Sequence, residues 1–143
     1  MQTFLPFNSI EQTVKCLDWK RLGKQRVEAL QILNCLSNKS IGWKNHPAVK
    51  MWKGKEAFLG FYMNACLSEW MIRGYKNNMI LFEEASSENP PIWFGDDRVH
   101  SSHRSNLLRK DSVYYAKFGW SEPADLPYAW PDINGNITYG IKK

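Results

Sequence analysis

The sequence has little of what builds a disulfide framework, a secreted precursor or a membrane span. Its cysteines, Cys16, Cys35 and Cys66, are odd in number and widely spaced, which argues against disulfide bonds and predicts reduced, mostly buried thiols. No run of about 18 uncharged apolar residues occurs, and the start, MQTFLPFNSI, lacks the basic and apolar regions of a signal peptide. We therefore expect a soluble, intracellular protein of the cytoplasm that does not contact membranes.

Histidines are also scarce, and those present do not complete a metal-binding motif. His100 and His103 stand three residues apart, a spacing that can present two imidazoles to one ion. No cysteine or carboxylate motif accompanies them to complete a tetrahedral set, so we expect no metal ion and no other cofactor. His46, which precedes Pro47, is either a helix cap or a residue of a functional site, and the sequence leaves both interpretations open.

Aromatic residues and positive charge, by contrast, are abundant. Aromatic residues make up 14% of the 143-residue chain, which argues against disorder and for one domain, residues 1–143, with a sizeable core. Residues 1–76 carry 12 Lys and Arg against 5 Asp and Glu, whereas residues 77–143 carry 7 against 9. Positive charge concentrated in one half of a chain is typical of proteins that bind a polyanion such as nucleic acid.

Helix-forming residues and capping signals predict an all-α fold in a single compact domain. One long helix is expected over residues 9–36, where Ser9 caps the first turn and Gln12 stands three residues later, as in a capping box. A second helix is expected over residues 56–73, which are apolar almost all round and end at Gly74. A helix of that composition belongs in the middle of the fold, so we expect the long N-terminal helix to pack against it.

Shorter elements complete the predicted fold. A short helix is expected over residues 47–54, because proline is well tolerated at a first helical position. A further helix is expected to begin at a cap formed by Ser101 or Ser102 and to run to residue 110. The Asn-Gly pair at residues 134–135 predicts a small C-terminal hairpin.

The stretch LDWKRLGKQRVEAL, residues 17–30, packs four basic residues into seven positions. At 100° per residue, one helical stripe carries Asp18, Arg21, Gln25 and Glu28, and the flanking basic residues are Lys20, Lys24 and Arg26. We expect this stripe to form an exposed ridge, whereas the opposite stripe of Gly23, Val27 and Leu30 faces the core. The pattern fits either an ordinary solvated helix face with i,i+4 ion pairs or a surface that binds an anion.

A second basic segment, HSSHRSNLLRK, lies at residues 100–110. It places Arg104 and Arg109 among three serines at a predicted helix N-terminus, where backbone N–H groups favour phosphate. Ordinary helix capping explains the serines equally well. The segment therefore adds a candidate anion site without establishing one.

Several of these motifs occur in an order that resembles the pyrimidine-dimer DNA glycosylase family, of the endonuclease V type, in its prokaryotic and phage branch. The segments that carry the resemblance, over residues 1 to about 120, are MQTFLPF, KRLGKQRVEALQIL, HPAVKMW, RGYK and SHRSNLLRKD. The resemblance implies a DNA base-excision enzyme that cleaves the N-glycosidic bond of a damaged nucleotide, a pyrimidine dimer in this family, with abasic-site lyase activity. It also implies double-stranded DNA as partner and a bacterial or viral source, and we expect a monomer.

The resemblance implies a nucleophile at the start of the chain. In the family, the N-terminal α-amine attacks C1′ of the damaged nucleotide and forms a Schiff base. Here the amine belongs to Met1, because Gln2 is too large for routine methionine removal. An α-amine has an ordinary pKa of about 7.7 to 8.0, so a sizeable fraction is neutral and nucleophilic at physiological pH.

Two family positions are changed in this sequence. The family glutamate that assists the amine corresponds to Gly23, and a family histidine corresponds to Cys16. We expect Glu28 to supply the missing carboxylate, with Asp18 as the alternative. His46 and His103 are further catalytic candidates.

The resemblance also implies a set of DNA contacts. Arg26 matches a DNA-contacting arginine of the family, and Tyr128 and Trp130 stand near its C-terminal aromatics. The DNA-binding residues that we expect are Lys20, Arg21, Lys24, Gln25, Arg26, Arg104, Tyr128 and Trp130. Together they would hold a kinked duplex from which one nucleotide is extruded toward the amine.

Two other functions remain open at this point. One is a non-catalytic DNA-binding protein that kept the fold and lost the chemistry, which Gly23 and a retained Met1 both favour. The other is an enzyme that uses His46, His100 and His103 on a nucleotide or phosphodiester.

Overall fold

A computed structural model of the protein describes residues 1–40 and 42–140. Its α-helices are α1 (Ile10–Cys16), α2 (Trp19–Leu36), α3 (Pro47–Lys50), α4 (Glu56–Ile72), α5 (Asp97–Lys110) and α6 (Ser112–Tyr115), followed by a 3-10 helix at Ala116–Phe118. Strands β1 (Ala129–Pro131) and β2 (Ile137–Tyr139) pair antiparallel. The predicted all-α architecture with a small C-terminal hairpin is confirmed, and Gly135 turns the hairpin with a φ of 84°.

Helix α4 lies at the centre of the fold, as predicted. Its buried side chains include Phe58, Leu59, Tyr62, Met63 and Leu67, and it packs against α1 and α2. Gly74 follows the helix with a φ of 92°, a left-handed conformation that glycine adopts without strain. All three cysteines are buried and unpaired, and within the described ranges no helix is long and apolar enough to span a membrane.

One long helix was predicted over residues 9–36, but the structure has two helices there, α1 and α2, so that prediction was wrong. The chain is extended at Leu17 and Asp18, and α2 begins at Trp19. Asp18 is the N-cap of α2, where its side chain accepts from the Arg21 N–H, and the buried Tyr115 hydroxyl lies 2.5 Å from its Oδ1. Helix propensity alone did not reveal the break, because the residues on both sides of the cap favour helix. The sequence feature that marks the break is Asp18, because aspartate is a preferred N-cap residue.

The predicted orientation of α2 was also wrong. Asp18 and Gln25, expected on an exposed ridge, are buried, whereas Val27 and Leu30, expected in the core, are 44% and 38% exposed. The core-facing residues of α2 are instead Leu22, Gln25, Ala29, Ile32 and Leu33. Gln25 can lie on the buried face of α2 because the N-terminal segment packs on it and bonds its amide.

The N-terminal arm, residues 1–7, is held to α2 by one buried side chain. Gln25 Oε1 accepts the Phe4 N–H at 2.8 Å, and its Nε2 donates to the Gln2 carbonyl at 2.9 Å. The Tyr62 hydroxyl lies 2.6 Å from the same Oε1. Trp52 adds a bond from its indole N–H to the Thr3 hydroxyl, 3.0 Å. The arm has no helix or strand of its own, so these side chains satisfy its backbone.

Helix α5 begins earlier than predicted. Asp96 caps it, so neither Ser101 nor Ser102 is a cap, and the serines lie inside the helix. Ser102 Oγ instead accepts the Ala129 N–H at 3.1 Å, and Ser105 Oγ accepts the Leu126 N–H at 3.0 Å. These two serines therefore hold the C-terminal segment against α5, and the candidate anion site, which required them at a helix N-terminus, has no support here. The helix predicted over residues 47–54 is also shorter, with turns following α3.

Two buried histidines of α5 hydrogen-bond the backbone of the arm at Leu5. The Leu5 N–H donates to His103 Nδ1 at 2.9 Å, and the Leu5 carbonyl lies 2.6 Å from His100 Nδ1. His100 Nε2 accepts the Gly95 N–H, which fixes the proton on His100 Nδ1. Burial lowers the pKa of both imidazoles, that of His103 to about 3. Both rings are neutral structural groups at physiological pH.

Stability should therefore decline with acid. Histidine titrates at about pH 6.5 in an unfolded chain but far lower at His103, so the unfolded state gains protons first and stability falls from pH 6.5 toward pH 3. His103→Asn keeps an acceptor for the Leu5 N–H and removes the titration. Urea unfolding between pH 6 and pH 5 should show a pH slope shallower by up to about 1.4 kcal/mol per unit in this variant. Equal slopes in both proteins would contradict a neutral, buried His103.

Candidate active site

Two adjoining cavities open beside the first residue of the chain. The outer lobe has a volume of about 810 Å³ and the inner lobe about 500 Å³. The residues that line both lobes are Met1, Arg21, Lys24, Glu28 and Lys110. The cationic side of α2 and the end of α5 thus meet where the N-terminal arm begins.

Glu28 contacts the backbone of the chain next to its first residue. The Gln2 N–H donates to Glu28 Oε1 at 2.9 Å. Only the Met1 carbonyl carbon and Cα separate that nitrogen from the amine. Met1 and Glu28 are both half-buried, which leaves part of each in contact with the cavity. The structure therefore brings together the two residues that the sequence nominated as nucleophile and carboxylate.

Gly23, which the resemblance matches to the family glutamate, lies close against Trp70. A Cβ there would lie 3.2 Å from two carbons of the Trp70 ring. That ring is fixed between Tyr75, stacked at 4.2 Å, and the Arg26 guanidinium, 4.1 Å from its centre. Trp70 therefore occupies the space beside Gly23. Glu28, more than one turn further along α2, is the carboxylate shared by both lobes in the described structure, and Asp111 lines the outer lobe.

Cationic side chains of α2 and α5 line the inner lobe: Arg21, Lys24, Arg109 and Lys110. Arg21 ties α2 to α5 by donating to the Lys110 carbonyl at 3.3 Å. Burial lowers the pKa of the Lys110 amine, and the nearby charges of Arg21, Arg109 and Lys24 lower it further. Cations that destabilise one another's charge in this way form a site that favours an anion.

Aromatic rings line the inner lobe opposite α2. Tyr128 and Trp130 lie there as predicted, 5.4 Å apart between ring centres. The Arg109 guanidinium is 6.0 Å from the Tyr128 ring, and its buried Nη1 has no hydrogen-bond partner among the described residues. Burial raises the pKa of Tyr128 to about 12, so its hydroxyl stays protonated. A polar donor is therefore left unpaired beside an aromatic surface.

His46 serves as a helix cap and also lines the inner lobe. Its Nδ1 accepts the Ala48 N–H at 3.0 Å, so the capping role, one of the two interpretations that the sequence left open, is present. Burial lowers its pKa, and the positive N-terminal amine lowers it further. The ring is therefore neutral with its proton on Nε2, so it can donate a hydrogen bond to a ligand in the lobe.

Four of the predicted site residues lie outside both lobes. Asp18 is the buried cap of α2, and His103 is buried under the arm. Arg26 stacks on Trp70. Arg104 is engaged within the protein, donating to Glu122, to Asp97 and to the Pro6 carbonyl. The structure does not bring these four to the cavity.

The structure adds residues that sequence reasoning did not place in the site. Arg109 and Lys110 enter it because α5 ends beside α2, a proximity that no local pattern encodes. Trp19, Trp43 and Trp70 line the outer lobe. In the described part of the chain, no three His, Cys, Asp or Glu side chains are grouped to hold a metal ion.

The structure is a helical fold with a cavity lined by cationic side chains, the first residue of the chain and Glu28. The family model for pyrimidine dimer DNA glycosylases matches residues 1–83, and the chain belongs to this family. Membership implies a DNA glycosylase whose substrate is DNA. Neither a curated protein nor a solved structure matches the chain significantly. The matched range includes Met1, Glu28 and His46 but ends before α5.

The exposed Lys24, which lines both lobes, should contribute to phosphate binding. Lys24→Ala should weaken DNA binding and reduce the slope of log K against log salt by about 1, because one counterion fewer is released. Lys53→Ala removes an exposed lysine outside both lobes and is the matched control. Fluorescence anisotropy on one duplex across a salt series measures both. A salt slope in Lys24→Ala equal to that of the wild type would argue against the phosphate contact.

Proposed function

We propose that this protein is a DNA glycosylase with abasic-site lyase activity, in which the Met1 α-amine is the nucleophile and Glu28 is its carboxylate partner. The observation that carries the proposal is the bond from the Gln2 N–H to Glu28 Oε1, because Gln2 directly follows the residue that bears the amine. Membership of the pyrimidine dimer DNA glycosylase family supplies the class of substrate.

The chemistry proceeds by attack of the neutral amine on C1′ of the damaged nucleotide. A C1′–nitrogen bond to the enzyme forms as the bond to the pyrimidine breaks, and the pyrimidine leaves with the electron pair and takes a proton from solvent. Glu28 stabilises positive charge that develops on the sugar and accepts the proton that the amine releases. The C1′–O4′ bond then breaks, O4′ takes the proton that Glu28 accepted, and a Schiff base remains between the amine and C1′, with Glu28 again a carboxylate.

The lyase step follows from the Schiff base. The iminium draws electrons from C2′, so a C2′ proton is lost to a base and the 3′ phosphate leaves with the electron pair of its C–O bond. Glu28 is the carboxylate placed to take that proton. Water then hydrolyses the imine and frees the Met1 amine for another turnover.

The cavity has the means to hold DNA for this reaction. Lys24, Lys110 and Arg109 bind phosphates, and Tyr128 and Trp130 offer ring faces to unstacked bases. Extruding a nucleotide costs a few kcal/mol, least where a lesion already weakens stacking. Phosphate contacts offset that cost.

A non-catalytic DNA-binding protein is the second candidate, and the loss of the family carboxylate at Gly23 favours it. It predicts binding without covalent chemistry. An enzyme that relies on three histidines has no comparable support, because His100 and His103 hold Leu5 while His46 lines the cavity.

Borohydride trapping on a duplex with one abasic site tests the proposal. The wild type should form a covalent adduct, and Glu28→Gln, which keeps size and removes charge, should form it about a hundredfold more slowly. Glu11→Gln is the matched control, because Glu11 is an exposed glutamate that pairs only with Lys15 in the described structure. Its adduct rate should equal that of the wild type.

Acetylation of the N-terminus, verified by intact mass, should abolish the adduct while DNA binding persists. Tight duplex binding by the wild type with no adduct at any pH from 6 to 9 would favour the non-catalytic candidate. An adduct that survives complete acetylation would assign the nucleophile elsewhere.

A further inference from the structure

Two tryptophans stand exposed in the outer lobe. Trp19 is 56% exposed and Trp43 is 53% exposed, although large aromatic side chains are normally well buried. Trp19 is the first residue of α2, and Trp43 lies in the turn before α3. Both line the same cavity of about 810 Å³ beside Met1. Paired exposure in one concave site indicates a surface kept for a ligand.

The lobe follows the outer face of α2. Lys20, Lys24, Val27 and Gln31 recur at helical spacing along it. From Trp19 to Gln31 the helix rises about 18 Å. The lobe is therefore an elongated groove with positive charge along its length, and it runs into the space that holds the N-terminal amine.

Trp70 forms a wall of this groove and is not free to stack. Tyr75 and Arg26 pack on its ring, Gly23 approaches it closely, and its indole N–H donates to the Lys76 carbonyl. Trp43 is different, since its recorded ring contact is an edge contact with His46 at 5.7 Å. Trp19 has the Lys20 amine 5.8 Å from its ring centre, and no ring of the described residues stacks on it. These two rings keep a face for a partner.

We propose that the outer lobe binds a segment of unpaired DNA, with bases stacked on Trp19 and Trp43 and phosphates held by Lys20 and Lys24. Exposed aromatic rings interleaved with lysines in a groove are the combination that binds single strands, because every base has a stacking face and every nucleotide a negative charge. The inference rests on the proposed function in one respect, since that function is the reason to name DNA as the nucleic acid.

Charge and shape separate this occupant from the alternatives. An apolar protein segment would bury Lys20 and Lys24 without partners, at a desolvation cost. An intact duplex presents its bases edge-on in the grooves, so it has no free base face for Trp19 or Trp43. A single strand uses both features, and it can continue from the groove to the amine at Met1.

Anisotropy titration with a labelled ten-nucleotide oligothymidylate tests the site. Trp19→Ala and Trp43→Ala should each weaken binding about fivefold or more, because each removes one stacked base. Trp19→Phe and Trp43→Phe keep a ring face and should bind within about twofold of the wild type. Tyr139→Ala, the matched control, removes an equally exposed ring from β2, outside both lobes, and should leave the affinity unchanged.

Affinity that is indifferent to both alanine substitutions would overturn the groove. Equal losses in the phenylalanine and alanine variants would also overturn it, since stacking would not be the cause. Tighter, tryptophan-dependent binding of oligouridylate would reassign the groove to RNA. Adduct formation on an abasic duplex is scored separately in the wild type, so the groove can fail while the glycosylase stands, and the reverse.

Discussion

The buried side chain of Gln25 is the interaction on which the site depends. Its amide bonds the backbone of the arm at Gln2 and Phe4, and Tyr62 of the central helix lies against the same oxygen. An unpaired buried amide costs about 1–3 kcal/mol, so the arm and the helix are each satisfied only when they are together. With Gln2 fixed, its N–H reaches Glu28 and the first residue enters the cavity. The position of the amine is therefore a consequence of packing in the core.

The packing of Trp70 and of the arm also bears on where a carboxylate of the site lies on α2. Trp70 lies against Gly23, so a side chain there would require a shift of a ring on which Tyr75 and Arg26 pack. Glu28 lies on the flank of α2 that meets the arm, and it accepts a bond from the arm itself. The space that Trp70 and Trp43 border becomes a groove beside the amine.

The sequence predicted local elements well and orientation poorly. The central helix, its end before Gly74 and the Asn-Gly hairpin follow from patterns within a few residues, and all are present. The exposed face of α2 was wrong because a polar residue in the core depends on the arm, which lies more than 20 residues away along the chain. Met1 and Glu28 were nominated by resemblance, and the structure places them together. Arg109 and Lys110 could not be assigned to the cavity, because only the folded chain brings the end of α5 to α2.

Among the described residues, the two lobes present four primary amines to a bound sugar, those of Met1, Lys20, Lys24 and Lys110, so the decisive measurement is which one reacts. Borohydride-reduced protein–DNA adduct, digested with nuclease and trypsin, can be mapped by mass spectrometry. The account predicts that the residual sugar is on the α-amine of the peptide of residues 1–15, which ends at Lys15. A sugar on the side chain of Lys20, Lys24 or Lys110 would contradict it.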